Sequence, residues 1–123
     1  MKRFCLLCVF SASAFGLGEP RYVQETRSPG SFVLAQSKSV AALCVDPSDY
    51  AGVIRAVKNL QADIARVTRL TPALVKDPAG TVIIVGTIGK SPLIDRLIRE
   101  RKIDASEVAG KWESFIIQVV EKP

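Results

Sequence analysis

The amino-acid sequence predicts an α/β fold of the layered (α+β) kind, in which a small sheet is covered by two main helices. The composition is that of an ordinary globular domain, because 48% of the 123 residues are hydrophobic and 24% are charged. Short apolar runs alternate along the chain with segments of helical periodicity. One strand-like run leads through a glycine-containing loop into a helix-like segment, which is typical of domains whose helices cover a sheet.

The beginning of the chain has the order of residues expected of a secretory signal peptide. Two basic residues precede an apolar run at 4–10, and small residues follow it. The run is well short of the roughly 20 residues that span a membrane. We therefore expect residues 1–18 to be a signal peptide, cleaved after Ala14 or after Gly18. The mature chain is then exported to the periplasm or the medium without a membrane anchor.

Removal of the signal peptide changes the cysteine and charge counts. Cys5 and Cys8 leave, so Cys44 remains as a single thiol in an apolar stretch, where we expect a small buried hydrophobic residue. The chain has no histidine, which excludes a Cys–His dyad, and we expect no metal and no cofactor. The formal charge falls from +5 to about +3, and the basic residues are scattered, which argues against nucleic-acid binding.

The first part of the expected domain contains strands. Residues 19–30 are polar and include proline and glycine, so we expect a flexible leader followed by one domain over residues 31–123. Apolar runs at 32–35 and 40–45 predict two strands or one bent strand.

A helix signal follows these strands. Asp46 is the predicted N-cap, Pro47 the first helical residue, and Asp49 a carboxylate at the positive end of the helix dipole. Pro72 ends the segment. Apolar residues spaced by three or four predict one buried stripe, formed by Val53, Ile54, Val57, Leu60, Ile64 and Val67.

The second part of the domain predicts further strands and a second helix. Residues 73–75 predict a brief strand, and the unbroken apolar run at 81–85 predicts a strand buried on both faces and therefore central in its sheet. Residues 114–121 predict a last strand. Ser91 can cap a helix that begins at Pro92. The apolar stripe of this helix consists of Leu93, Ile94, Leu97 and Ile98.

The loop Gly-Thr-Ile-Gly-Lys-Ser at 86–91 resembles a nucleotide-binding loop, but its spacing is wrong. A P-loop needs four residues between its glycines so that successive amides wrap a phosphate, whereas two residues separate Gly86 from Gly89. A tight strand-to-helix turn is the simpler interpretation. The functional alternative is an anion site at the helix start, formed by Gly89, Lys90 and Ser91, for the carboxylate of a uronic acid.

The twelve acidic residues contain no convincing catalytic pair. A glycosidase needs two carboxyl groups about 5 to 10 Å apart across a sugar. Asp46 and Asp49 are explained by helix capping, and the other carboxylates by solvent-facing positions, so we assign no catalytic residue. Trp112 is a candidate for stacking on a sugar, although a tryptophan at the start of a strand is more commonly a packing anchor.

Four blocks of sequence carry a family resemblance. They read VDPSDYAGVIRAV at 45–57, LQADI at 60–64, IIVGTIGKSPLI at 83–94 and GKWESF at 110–115. In this order and spacing they resemble the N-terminal domain of glycoside hydrolase family 115. The resemblance implies an α/β domain like the second domain of hexosaminidases, placed before a barrel that removes glucuronic or 4-O-methylglucuronic acid from xylan with inversion.

The family's principal catalytic carboxylates lie on that barrel, so the resemblance carries none onto this sequence. We therefore expect a non-catalytic accessory domain of an exported xylan α-glucuronidase, truncated before its barrel, whose polysaccharide substrate is bound through the missing catalytic domain. Two alternatives stay open. One is a free-standing secreted carbohydrate-binding module that uses Lys90 and Trp112, and the other is a small nucleotide-binding protein.

Overall fold

The structure, a computed structural model, describes residues 23–121. The predicted signal peptide and the first part of the predicted leader therefore lie outside the described residues. Residues 23–30 are exposed and belong to no helix or strand. None of the helices within 23–121 is both long enough and apolar enough to pass through a membrane.

The strands form two small sheets. Strands β1 (Ala35–Gln36) and β2 (Ser39–Val40) pair in an antiparallel ribbon. In the second sheet β3 (Ala42–Val45) lies between β4 (Leu74–Val75) and β5 (Val82–Val85), and both neighbours run parallel to it. The carboxyl ends of three consecutive strands therefore meet at one edge of this sheet.

Two helices connect and cover these strands. Helix α1 (Ala51–Thr68) follows β3, and helix α2 (Pro92–Arg99) follows β5. Helix α1 ends where Arg69 takes a left-handed conformation with φ of 64°, and the Arg69 N–H donates to the Ala65 carbonyl at 2.9 Å. This ending lies just before Pro72, as the sequence predicts.

The core lies between α1 and one face of the parallel sheet. Leu43, Val57 and Ile64 are its buried residues, and Leu43 has no exposed surface at all. Burying one such aliphatic side chain stabilises a fold by about 1.5 to 3 kcal/mol. Side chains alternate along a strand, so Cys44 and Ile84 belong to the opposite face, where they line a cleft together with Leu93 of α2. The two helices thus lie on opposite faces of the sheet, which confirms the predicted layered class.

The predicted start of the first helix is wrong. Helix α1 begins at Ala51, and its N-cap, Tyr50, makes no side-chain capping bond. The Asp46 carboxylate instead accepts hydrogen bonds from the backbone and hydroxyl of Ser48, and the Asp49 N–H donates to the Asp46 carbonyl at 3.1 Å. Residues 46–49 therefore form a turn with Asp first and Pro47 second, which the same residue types favour equally well.

The predicted stripe of α1 is narrower than expected. Val57 and Ile64 are buried and Val53 and Ile54 half-buried, but Leu60 is 38% and Val67 82% exposed. Within residues 23–121 the parallel sheet has three short strands, and this surface is too small to cover the whole apolar side of an 18-residue helix.

Two strand predictions are also wrong. Strand β5 lies at the edge of its sheet and is half-buried throughout, whereas β3 is central. Residues 114–121 form no strand, and Phe115 and Ile117 are 73% and 66% exposed. A strand exists only with a hydrogen-bonded neighbour, and within residues 23–121 this segment has none. The predicted brief strand at 73–75 is confirmed as β4, and the predicted start of α2 at Pro92 is also correct.

Candidate functional site

A ligand site is expected at the carboxyl edge of the parallel sheet, because ligands of α/β folds bind beyond the carboxyl ends of the strands. Two loops lie at this edge. The first, residues 46–50, joins β3 to α1, and the second, residues 86–91, joins β5 to α2. They belong to the two longest blocks of the family resemblance.

A buried carboxylate ties these two loops together. Asp49 is 6% exposed. Its carboxylate accepts the Thr87 N–H and the Thr87 hydroxyl, each at 2.8 Å, and also the N–H of Tyr50 at 2.7 Å. Hydrogen bonds to a charged group contribute about 1.5 to 3 kcal/mol each, so this cluster fixes the relative position of the loops. Asp49 therefore acts between the loops rather than on the dipole of α1.

The second loop is a tight turn whose glycines are needed for two different reasons. Gly89 has φ of +79°, a left-handed conformation that glycine adopts without strain. Gly86 is packed so closely that an added Cβ would lie 2.5 Å from the Ser91 Cβ and 2.9 Å from Ile94. Ser91 itself is 2% exposed, and its hydroxyl oxygen accepts the Ile94 N–H at 3.4 Å. Ser91 therefore has the predicted capping role.

The amides of this loop already bind the chain's own groups. The Gly89 N–H donates to the Asp95 carboxylate at 2.8 Å, and the N–H groups of Lys90 and Ser91 both donate to the Thr87 carbonyl. An external anion would have to displace Asp95 to reach Gly89. The predicted anion site at this helix start therefore stays a prediction, and of its three residues Lys90 is the one with an exposed side chain.

Lys90 lies over an aromatic ring. Its ammonium nitrogen is 5.1 Å from the centroid of the Tyr50 ring, and Tyr50 is 56% exposed. This is the distance of a cation–π contact. Within residues 23–121 no carboxylate lies within ion-pairing distance of the Lys90 ammonium. The two side chains come from different loops, and the Asp49 cluster holds those loops side by side.

A cleft of about 290 Å³ opens on the face of the sheet away from α1. Cys44, Ile84 and Leu93 form its apolar part, and Asp46 and Asp77 supply carboxylates. The Cys44 thiol donates to the Lys76 carbonyl at 3.3 Å. Burial raises the pKa of this thiol, and the negative charges of Asp77 and Asp46 raise it further. The thiol is therefore a poor nucleophile.

The described carboxylates are mostly engaged in local structure. Hydrogen bonds from Ser48 hold the pKa of Asp46 below its usual value, and bonds from Ser106 do the same for Asp104. A hydrogen bond from Lys102 lowers the pKa of Glu100. Asp63 and Glu107 pair with basic neighbours on the surface. Nowhere in residues 23–121 do three or more potential metal ligands converge.

Trp112 is separate from the loops. It is 94% exposed, so it is no packing anchor, contrary to the more common role of a tryptophan at a strand start. No hydrogen bond or ring contact within residues 23–121 joins its side chain to Lys90. Of the four predicted substrate-binding residues, Lys90 has an exposed side chain and Gly89 binds Asp95 through its N–H. Ser91 is buried and caps α2, and Trp112 is exposed away from both loops.

The sequence alone did not identify Tyr50 as a residue of the candidate site, nor Asp49 as the link between the two loops. The available signal was that two loops after parallel strands must meet at one edge, and that Asp49 and Thr87 each follow one of those strands within four residues. No family model matches the chain, and no curated protein matches it.

Proposed function

We propose that the chain is the non-catalytic N-terminal domain of a secreted glycoside hydrolase, one that removes glucuronic or 4-O-methylglucuronic acid side groups from xylan. The observation that carries the proposal is the contact of Asp49 with Thr87, since it joins the two longest blocks that resemble family 115 into one structural unit.

The state of the carboxylates supports a non-catalytic role. A glycosidase needs a general acid whose pKa is raised, so that it carries a proton near neutral pH. The pKa values of Asp46, Glu100 and Asp104 are shifted the other way, because hydrogen bonds stabilise their charged forms. Asp49 is enclosed by donors from its own chain.

The size of the native polypeptide tests the proposal directly. Antibodies raised against the chain should detect, in the producing cells and their medium, a polypeptide longer by at least a barrel, about 250 residues. The purified chain of 13.3 kDa should release no uronic acid from glucuronoxylan. A native product of 13.3 kDa or less, or release of uronic acid by the chain itself, contradicts the proposal.

A free-standing carbohydrate-binding module is the second candidate, and the 94% exposure of Trp112 favours it. An exposed indole is a suitable platform for a sugar ring. Retention of the purified chain on insoluble glucuronoxylan, abolished in Trp112→Ala and kept in Phe115→Ala, would support this module. The accessory-domain proposal expects no retention of the isolated chain.

A further inference from the structure

Tyr50 and Lys90 combine the two chemical features that a sugar acid requires. A uronic acid has an apolar face of ring C–H groups and a carboxylate attached to the same ring. The first is matched by a partly exposed aromatic ring and the second by an ammonium group. These groups are found here with the Lys90 nitrogen 5.1 Å from the centroid of the Tyr50 ring.

The Lys90 ammonium is available to an external anion. Its ammonium has no carboxylate partner within residues 23–121, unlike Lys102 and Lys111, which pair with glutamates. The ring of Tyr50 attracts the cation but leaves its charge unneutralised. A carboxylate arriving from solution therefore gains an ion pair without breaking another one.

Hydrogen bonds within and between the two loops fix the positions of Tyr50 and Lys90. The buried Asp49 carboxylate binds the N–H of Tyr50 on one loop and both donors of Thr87 on the other. The Lys90 N–H in turn donates to the Thr87 carbonyl at 3.0 Å. Asp49 is thus a positioning residue for the pair, which reduces the conformational entropy lost when a ligand binds.

We propose that Tyr50 and Lys90 form a binding site for a uronic acid, with the sugar ring against the Tyr50 ring and its carboxylate paired with the Lys90 ammonium. The choice of a uronic acid among carboxylated ligands rests on the proposed function. A site with one exposed ion pair and one ring contact binds a monosaccharide with a dissociation constant in the millimolar range. Such weak binding gives no retention on an insoluble polysaccharide.

Titration of the chain by nuclear magnetic resonance tests this site, with three probes at equal ionic strength: methyl α-D-glucuronide, the uncharged methyl α-D-glucoside, and sodium acetate. The glucuronide should shift the amide signals of Tyr50, Gly89 and Lys90 at lower concentration than either control probe. Lys90→Gln and Tyr50→Ala should each weaken glucuronide binding by about fivefold or more. Tyr50→Phe should keep it, because the ring remains.

Lys58→Gln is the matched control, since Lys58 is an exposed lysine within α1 and belongs to neither loop. It should leave glucuronide binding unchanged. Equal binding of glucuronide and glucoside, equal binding of glucuronide and acetate, or no effect of Lys90→Gln overturns the site. A long native polypeptide together with no glucuronide binding would overturn this inference and leave the proposed function standing. A native product of 13.3 kDa or less that binds glucuronide would overturn the proposed function and leave the site standing.

Discussion

The carboxyl edge of the parallel sheet and the segment at 112–120 differ in whether distant parts of the chain hold them in place. At the sheet edge, two loops far apart in sequence are joined through the buried Asp49 carboxylate. In the segment, Trp112, Phe115 and Ile117 are each at least 66% exposed, and the backbone pairs with no strand of residues 23–121. Strand propensity alone therefore did not make the segment a strand, because a strand also needs a hydrogen-bonded neighbour.

The largest contrast is expected between two aliphatic truncations. Leu43→Ala should lower the free energy of unfolding by about 3 to 5 kcal/mol, because it opens a cavity at a fully buried position of β3. Ile117→Ala should change it by less than about 0.5 kcal/mol, because Ile117 is 66% exposed. Urea unfolding followed by circular dichroism measures both. Equal losses would mean that the segment packs as tightly as β3.

Removal of the buried carboxylate should have the next largest effect. Asp49→Ala leaves the N–H groups of Thr87 and Tyr50 without their acceptor, and we expect a loss of about 2 to 3 kcal/mol in urea unfolding. Asp63→Ala is the control, since it removes only an exposed ion pair with Arg66 and should cost less than about 1 kcal/mol. A neutral Asp49→Ala would show that the two loops do not depend on this cluster.

Two glycine substitutions should change stability in opposite directions. Gly86→Ala brings a Cβ to 2.5 Å from the Ser91 Cβ and should destabilise the protein by about 1 to 3 kcal/mol. Gly52→Ala meets no atom within 4 Å and should stabilise helix α1 by about 0.5 kcal/mol. Thermal unfolding of the two variants measures the difference. A harmless Gly86→Ala would mean that the second loop is looser than its contacts indicate.

The Cys44 thiol should make the free energy of unfolding fall at alkaline pH. Its pKa is raised by burial and by Asp77 and Asp46, so the folded state holds the proton more tightly than the unfolded state. The stability that comes from the protonated thiol is fully present below the ordinary thiol pKa of about 8.5. It is lost as the pH rises through the higher pKa of the thiol in the folded state. The free energy of unfolding, measured from pH 7 to pH 10, should decline in the unchanged chain. In Cys44→Ala the part of this decline that comes from the thiol should be absent.

The smallest expected effect concerns the exchange of backbone hydrogens in the exposed segment. Amides of residues 114–120 should exchange at nearly the rate of an unfolded chain, whereas those of β3 should be protected to the level of global unfolding. Hydrogen exchange measured by nuclear magnetic resonance distinguishes them. If the amides of residues 114–120 exchange slowly in the isolated chain, the segment has a strand partner and does not differ from the sheet in this respect.

Turn chemistry explains where prediction from the sequence succeeded and failed. Ser91 and Pro92 had one interpretation, a capped helix start, and the prediction is confirmed. The residues at 46–49 satisfied both a helix cap and a turn, and the structure has the turn, from which the Asp49 side chain binds Thr87. For the site, Lys90 was recognisable from its loop, whereas Tyr50 was not, because its proximity to Lys90 depends on the pairing of β3 with β5.

The sequence by itself determined the alternation of strands and helices, the capped start of α2 and the burial of Cys44, because these follow from local periodicity, capping chemistry and apolar surroundings. The tertiary structure decided that β3 rather than β5 is central, that residues 114–121 are no strand, and that Tyr50 lies beside Lys90. These features depend on which distant residues meet. Hydrogen bonds between strands and contacts between loops are not encoded within any single segment.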